Sequence, residues 1–181
     1  MNYLIIFCGI PGSGKSTEAR RMAGSLTARG ITIEHISRDE LRFSMISDES
    51  EYFSKEKEVF NKFVEKMNNS LNKNDCTIID ATHISKVSRA KILRRVENPN
   101  NVRLLVLYLT TPIDVCMQQN DLRTGREQVP HEVIEKMAKQ FEDPTEKEFT
   151  GFGFDSVEVW EKPWKERERL DLHQQRSPSE S

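Results

Sequence analysis

The feature that most constrains this chain is a glycine-rich stretch between an apolar run and a helical pattern. Residues 9–16 read Gly-Ile-Pro-Gly-Ser-Gly-Lys-Ser and fit the pattern G-x-x-x-x-G-K-[ST]. The apolar run at residues 3–8 is typical of a strand that is buried on both faces. Residues 15–29 carry apolar side chains at helical spacing and end before Gly30, a common helix stop. A strand, a glycine loop and a helix in this order predict a phosphate-binding loop.

The chemistry of this loop follows from its residue types. Glycine permits backbone angles that point several N–H groups at phosphate oxygens, and the helix that follows adds its positive end. Lys15 is expected to reach the β and γ phosphates of a nucleotide, and the Ser16 hydroxyl is expected to ligate Mg²⁺. The spacing is not G-x-G-x-x-G, which excludes a dinucleotide fingerprint. A glycine-rich turn without a ligand is the alternative interpretation.

The rest of the chain alternates strand-like and helix-like blocks, without internal repeats. Further strands are predicted at residues 31–37, 76–80, 102–109 and 157–160. Further helices are predicted at residues 60–71 and 85–96, from Thr111 as N-cap with Pro112 at the first helical position, and from Val129-Pro130. This alternation predicts an α/β domain with a five-stranded parallel sheet and helices on both faces. Residues 1–160 are expected to form that domain, and the charged residues 161–181 a mobile tail.

Composition limits the possible classes of protein. A chain of 181 residues fits one domain, and its apolar runs are too short to cross a membrane. The net charge of −2 gives no bulk signal for a nucleic-acid or membrane partner, so any basic surface must be local. Cys8, Cys76 and Cys116 form no CxxC pair, which supports neither a disulfide framework nor a zinc site. No secretory leader pattern opens the sequence, and a cytoplasmic location is therefore predicted.

A second candidate element, Arg-Asp-Glu-Leu-Arg at residues 38–42, follows the second predicted strand. Ligands bind beyond the carboxyl ends of parallel strands, so Asp39 is expected to face the same crevice as Lys15. A carboxylate there could accept the proton of an attacking hydroxyl. Arg42, one helical turn later, could hold a phosphate of the substrate. The alternative is that Asp39 is only a helix N-cap and Arg42 a surface residue.

Asp80 closes the apolar strand predicted at residues 76–80. An acid in this position is typical of the carboxylate associated with Mg²⁺ in phosphate-loop proteins, although many ordinary strands also end in Asp. His83 lies close by in sequence and has no companion ligands for zinc. We therefore expect His83 to serve in packing or hydrogen bonding.

Two arginines lie beside a glycine in the segment at residues 120–130, between two predicted helices. Arg123 and Arg126 could close over a triphosphate and neutralise charge that develops in the transition state. A polar connector between helices is the alternative.

The segment at residues 86–95 contains five cations and no acid. The cations are Lys86, Arg89, Lys91, Arg94 and Arg95. They predict either a solvated helix face or a surface that contacts a phosphate backbone.

Taken together, these motifs resemble the P-loop kinases related to the phage polynucleotide 5′-kinase domain, over residues 3–160. The similar stretches are residues 9–17, the Arg-Asp-x-x-Arg motif at 38–42, Asp-Ala-Thr-His at 80–83, the lid pattern at 120–130 and Phe-Glu-Asp-Pro at 141–144. The chain departs from the family in two places. His83 stands where the family usually has asparagine, and one extra residue separates Arg126 from Val129.

The resemblance implies ATP and Mg²⁺ as cofactors, the kinase-type strand order with the Asp80 strand next to the Lys15 strand, and a role for each matched residue. The implied catalytic residues are Lys15, the general base Asp39, and Arg123. The implied nucleotide-binding residues are Gly12, Ser13, Gly14, Lys15, Ser16, Thr17, Arg123 and Arg126. The implied acceptor-binding residues are Arg42 and Arg89, and the implied Mg²⁺ residues are Ser16 and Asp80.

The reaction implied is transfer of the γ-phosphoryl group of ATP to a hydroxyl, foremost the 5′-OH of RNA or DNA. The family also contains kinases of aminoacyl-tRNA and of small alcohols, which are alternative acceptors. A nucleotide-dependent switch is a hypothesis from a different class. Asp39 and Arg42 favour the enzyme, because a switch needs no base to activate a hydroxyl.

Overall fold

The computed structural model describes residues 1–164. In this part of the chain the strands are β1 (Asn2–Cys8), β2 (Ile33–Ser37), β3 (Cys76–Asp80), β4 (Val102–Thr110) and β5 (Ser156–Pro163). The α-helices are α1 (Lys15–Ala28), α2 (Arg38–Met45), α3 (Tyr52–Leu71), α4 (Lys86–Leu93), α5 (Ile113–Asp121) and α6 (His131–Gln140). None of these helices is both long enough and apolar enough to cross a membrane.

The five strands form one sheet in the order β2-β3-β1-β4-β5, and every neighbouring pair is parallel. The strand that precedes the phosphate loop is therefore central, with β3 beside it. At the carboxyl edge Phe7 is in register with Asp80, which in turn is in register with Ser37. This arrangement confirms the predicted fold, including its kinase-type strand order, and brings the ends of β1, β2 and β3 to one edge.

The two faces of β1 are buried against different helices. Leu4 and Ile6 belong to an apolar cluster with Phe63 of α3 and Ile92 of α4. The intervening residues of β1 belong to a second cluster, in which Ala19 of α1 is buried. Helices thus cover both faces, which explains why β1 is a continuous apolar run rather than an alternating one. Strand β1 is paired with β3 on one side and β4 on the other, and the phosphate loop begins at its carboxyl end.

Some element boundaries differ from the predictions. Helix α5 has Pro112 as its N-cap, and the Thr111 hydroxyl instead donates to the backbone carbonyl of Ser13 at 2.8 Å. Strand β5 continues through Pro163, so the start of the predicted tail belongs to the sheet. Residues 165–181 of that tail lie outside the described part of the chain.

All three cysteines are buried free thiols. Burial raises the pKa of Cys8 and Cys76 to about 12 and that of Cys116 to about 11. The thiols therefore stay protonated at neutral pH and act as small apolar side chains.

Candidate active site

The loop between β1 and α1 has the backbone shape that a phosphate cradle requires. Gly12 and Gly14 adopt φ angles of 79° and 93°, in the left-handed region that favours glycine. A Cβ atom on Gly12 would lie 2.1 Å from the Cys116 backbone carbonyl oxygen, so a larger residue does not fit there. The close approach of α5 fixes the path of the loop at this point.

Lys15 turns back over this loop, and its Nζ donates to the Ile10 carbonyl at 3.1 Å. Burial lowers the pKa of Lys15, and the carboxylates of Asp80 and Asp39, which act in the opposite direction, do not restore it. An anion bound next to this buried ammonium would stabilise its charged form. The Ser13 hydroxyl oxygen is also buried and has no hydrogen-bond partner within residues 1–164. Both groups are thus available to phosphate oxygens.

Asp80 lies at the end of β3 with only 4 % of its surface exposed. Its Oδ2 has no hydrogen-bond partner among the described residues, and His35 Nε2 lies 3.6 Å away. Burial raises the pKa of Asp80, but His35, the Lys15 ammonium and the Ser16 hydroxyl outweigh it, so that the pKa is lowered. Asp80 is therefore a carboxylate with an unsatisfied oxygen beside a hydroxyl.

This pair of oxygen donors fits Mg²⁺, which prefers oxygen ligands and keeps several waters. Ser16 and Asp80 would hold the ion together with oxygens of the nucleotide. Within the part of the chain that the structure describes, no group of three His, Cys, Asp or Glu side chains could bind a metal by itself.

His83 connects the loop after β3 to the start of the phosphate loop. Its Nδ1 lies 3.1 Å from the Phe7 carbonyl, and the Gly9 N–H donates to the Thr82 carbonyl at 3.0 Å. Burial lowers the pKa of His83 to about 4, so the imidazole is neutral. The residue has a φ of 44°, where asparagine is also tolerated. His83 therefore serves in hydrogen bonding, as the sequence predicts.

The acceptor side of the site is built by α2 and α3. Asp39 lies in the first turn of α2 and is not its N-cap, because the Ser37 hydroxyl accepts from the Glu40 N–H. Arg42 Nη1 donates to Asp39 Oδ1 at 2.7 Å, and its Nη2 donates to Glu56 Oε2 at 3.2 Å. The alternative of Asp39 as an N-cap is therefore wrong. Glu56 has no sequence signal of its own and is found only in the structure.

A cleft of roughly 620 Å³ joins the phosphate loop to this acceptor side. The predicted site residues that line it are Lys15, Ser16, Thr17, Asp39, Arg42, Asp80, Arg123 and Arg126. The structure thus brings both carboxylates, the phosphate-loop lysine and the lid arginines to one opening.

Within the cleft, Arg123 and Arg126 have different surroundings. Arg123 lines the same cleft as Lys15, and its positive charge is one of the causes that lower the pKa of Lys15. Arg126 instead donates to the Ile46 carbonyl at 2.5 Å, at the C-terminal end of α2, and lies 4.8 Å from the Phe43 ring centre. Arg126, which the family resemblance assigns to nucleotide binding, thus contacts the end of helix α2 on the acceptor side of the cleft.

Arg89 is not at the surface, which corrects its predicted role in acceptor binding. Its side chain is fully buried and donates to both carboxylate oxygens of Glu148, at 2.7 and 2.9 Å, and to the His83 carbonyl at 2.9 Å. Because none of the side chain reaches the surface, it cannot contact an acceptor. Lys86, Lys91, Arg94 and Arg95 are the exposed cations of this segment.

The sheet is parallel throughout, its glycine loop ends in Lys15-Ser16, and Asp80 lies at the end of the neighbouring strand. Together these features define a P-loop kinase-like, nucleotide-binding fold. The family model described as "Chromatin associated protein KTI12" matches residues 2–149, and the chain belongs to this family. The resemblance to P-loop kinases is thus confirmed at the level of the fold, and the family is KTI12 rather than the polynucleotide kinases.

The curated relatives include KTI12 homologs and a probable adenylyl-sulfate kinase. A protein KTI12 homolog of Xenopus laevis is 26 % identical over 164 residues, covering 88 % of this chain and 54 % of the relative. The chain thus spans about half the length of the curated KTI12 relatives it matches. A probable adenylyl-sulfate kinase of Pseudomonas aeruginosa is 30 % identical over 122 residues, covering 65 % of this chain and 53 % of that protein.

Among solved structures, Chaetomium thermophilum Kti12 in complex with ADP-AlF3 superposes with a TM-score of 0.65 at 18 % identity. The match covers 95 % of this chain and 97 % of that chain. At this identity the likeness establishes a shared fold.

Proposed function

We propose that this chain binds ATP with Mg²⁺ and activates the γ-phosphoryl group for transfer to a hydroxyl. The observation that carries the proposal is the single cleft of roughly 620 Å³ that holds the phosphate loop, the carboxylates of Asp39 and Asp80, and the lid arginines. The ADP-AlF3 complex of Chaetomium thermophilum Kti12 supports nucleotide as the ligand of this fold.

The donor half of the cleft would bind and orient the triphosphate. Backbone N–H groups of residues 12–17 and the positive end of α1 face the phosphates. Lys15 compensates the charge on the β and γ phosphates, and Arg123 stabilises the charge that develops on the transferred group. Ser16 and Asp80 would hold Mg²⁺, which when bound neutralises phosphate charge.

The acceptor half would activate the attacking hydroxyl. Asp39 accepts the hydroxyl proton while the hydroxyl oxygen forms a bond to the γ phosphorus. The bond between that phosphorus and the bridging oxygen of the β phosphate breaks, and ADP leaves. Arg42, held by Asp39 at 2.7 Å, is placed to orient an anionic group of the acceptor.

For the acceptor we propose the 5′-OH of RNA or DNA. The resemblance to polynucleotide kinases supports this class, and so do the exposed cations of α4 and the turn after it. Lys86, Lys91, Arg94 and Arg95 line one open groove together with Val87 and Ala90. An aminoacyl-tRNA or a small alcohol as acceptor are the other outcomes of the test. The cytoplasmic location stays a prediction.

A nucleotide-dependent switch that hydrolyses ATP is the second candidate. It is favoured by the charge balance of the acceptor side, where Arg42 is paired with both Asp39 and Glu56. An arginine already held by two acids offers less attraction to an anionic acceptor. In this case water would take the place of the acceptor hydroxyl.

A γ-phosphate transfer assay distinguishes these functions. Radiolabelled ATP is incubated with 5′-OH RNA, 5′-OH DNA, aminoacyl-tRNA or small alcohols, and both labelled acceptor and free phosphate are measured. Labelled oligonucleotide supports the proposed acceptor, and free phosphate without any labelled acceptor supports the switch. Lys15→Ala and Ser16→Ala should each lower turnover at least about 10²-fold, because each removes a group that neutralises phosphate charge. Wild-type turnover by Lys15→Ala would overturn the nucleotide site.

Asp39→Asn separates the general base from the rest of the site. The amide cannot accept the hydroxyl proton, so transfer should be suppressed while ATP binding, measured by calorimetry, is retained. The exposed Asn72 at the end of α3 offers a control site, and Asn72→Asp should change neither measurement. An Asp39→Asn variant with wild-type transfer would contradict the base role.

A further inference from the structure

The lid between α5 and α6 is fastened at its base by one buried side chain. Asn120 Nδ2 donates to the Val129 carbonyl at 2.8 Å, and the Val129 N–H donates to Asn120 Oδ1 at 2.9 Å. The Asn120 side chain is fully buried, and both polar ends of its amide are used on one partner. This pair of hydrogen bonds closes the loop of residues 121–128 at its two ends.

The tip of the lid is fastened separately, by Arg126, to the end of α2. Its Nη1 donates to the Ile46 carbonyl at 2.5 Å and to the Tyr52 hydroxyl at 3.4 Å, and its Nη2 donates to the Phe43 carbonyl at 3.4 Å. The guanidinium carbon lies 4.8 Å from the Phe43 ring centre. A cation is favoured here, because the last carbonyls of α2 carry partial negative charge and the ring face attracts it as well.

Between its fastened ends, the lid has little packing of its own. Residues 121, 122, 124, 125, 127 and 128 are exposed, and Leu122 exposes half of its surface. Such a loop moves unless specific contacts hold it. Arg123 lies midway between Asn120 and Arg126, so its position in the cleft depends on both ends of the lid.

We propose that Arg126 is a positioning residue: by attaching the lid to the end of α2, it holds Arg123 in the cleft that contains the phosphate loop. This inference rests on the proposed function, because it gives Arg123 its role at the transferred phosphoryl group. Helix α2 also carries Asp39 and Arg42, so the same contact ties the donor half of the cleft to the acceptor half. In this arrangement Arg126 positions the lid rather than binding nucleotide, because its Nη1 and Nη2 donate to the Ile46 and Phe43 carbonyls at the end of α2.

The first test measures lid fastening in the nucleotide-free chain by hydrogen exchange. Arg126→Ala should speed exchange at residues 122–128 and 43–46 by about tenfold or more, because both segments lose the same contact. Arg29→Ala removes an exposed arginine at the end of α1 and serves as the matched control. Unchanged exchange in both segments would overturn the proposal. This readout needs no ATP, so it judges the lid even if the proposed function fails.

The second test separates positioning from nucleotide binding. Arg126→Ala should lower γ-phosphate turnover about tenfold or more, while the ATP dissociation constant changes less than about threefold. An ATP affinity that falls about tenfold, with unchanged lid exchange, would make Arg126 a phosphate ligand and overturn the proposal. A wild-type chain without turnover would instead contradict the proposed function.

The ring contact gives an independent check. Phe43→Leu removes the aromatic face and should reproduce part of the turnover loss, whereas Phe43→Tyr keeps the face and should retain activity. When Arg126→Ala is already present, Phe43→Leu should add little further loss, because the two residues act through one contact. Independent, additive losses would overturn the proposal.

Discussion

Glu56 Oε2 lies 3.2 Å from Arg42 Nη2, so the arginine on the acceptor side is held against α3 as well as against Asp39. Glu56 also pairs with Arg38, which contacts the Phe60 ring. One acid of α3 therefore shares its charge between two arginines of α2. This arrangement reduces the positive charge that Arg42 presents to the cleft.

Glu56→Gln is predicted to strengthen binding of an anionic acceptor. Loss of the acid frees part of the Arg42 charge, and a partly exposed ion pair contributes about 0.5–1 kcal/mol. We expect the KM for a 5′-OH oligonucleotide to fall about two- to fivefold with little change in ATP affinity. Steady-state kinetics with varied oligonucleotide measures this. Glu65→Gln, an exposed acid of α3 paired with Lys62, is the control. An unchanged KM would show that Arg42 does not meet acceptor charge.

Gly12→Ala and Gly24→Ala are predicted to change stability in opposite directions. At Gly12 the added methyl would meet the Cys116 carbonyl at 2.1 Å in a backbone with φ of 79°, and we expect a loss of at least about 2 kcal/mol. At Gly24, inside α1, nothing lies within 4 Å, and alanine should add roughly 0.5–1 kcal/mol. Urea unfolding of both variants measures the difference. Wild-type stability of Gly12→Ala would contradict the close approach of α5.

Arg89→Met is predicted to destabilise the fold. It leaves the Glu148 carboxylate largely buried without its partner, which costs about 3–5 kcal/mol. Adding Glu148→Leu should recover much of that loss, because no unpaired charge then stays in the core. Arg94→Met, an exposed position just after α4, should change the free energy of unfolding by less than about 0.5 kcal/mol. Equal effects of Arg89→Met and Arg94→Met would disprove the burial of Arg89.

The exposed cations of α4 and its C-terminal turn test the acceptor class by salt dependence. If these cations contact a single strand, each phosphate contact contributes roughly 0.7 to the slope of log affinity against log salt. Replacing Arg94 and Arg95 together by Ala should therefore flatten that slope by about 1.4 units. ATP affinity should stay unchanged. Fluorescence anisotropy over a salt series makes the measurement. A slope equal to that of the wild type would identify this surface as a solvated helix face.

The fold could be predicted from sequence because its strongest signals are local. The continuous apolar run before the phosphate loop becomes a strand buried on both faces, as does the run that ends in Asp80. The glycines of the loop predict a backbone with positive φ angles, and Gly12 and Gly14 adopt such angles. Element ends were less predictable. Thr111 is a good capping residue by type, but its hydroxyl is used by the Ser13 carbonyl.

The position of a candidate site residue was predictable wherever the residue follows directly on a strand end or lies in the glycine loop. Lys15, Asp39 and Asp80 reach the same cleft because parallel strands end at the same edge. The family resemblance and the cationic segment both direct attention to Arg89 as an acceptor contact, whereas Arg89 continues the buried helical spacing of Ile92, Leu93 and Val96. The Arg126 contact joins residues 80 positions apart and leaves no local pattern. Long-range pairing of this kind requires the structure.

The parallel direction of every strand has a practical consequence for experiments on this chain. Met1 is exposed at the amino edge of the sheet, whereas Pro163 ends β5 at the carboxyl edge, where the cleft opens. A fluorophore or affinity tag joined ahead of Met1 is therefore separated from bound ligands by the length of the central strand. The same group placed next to Pro163 would share their edge of the sheet. Immobilisation for binding measurements should use the amino end.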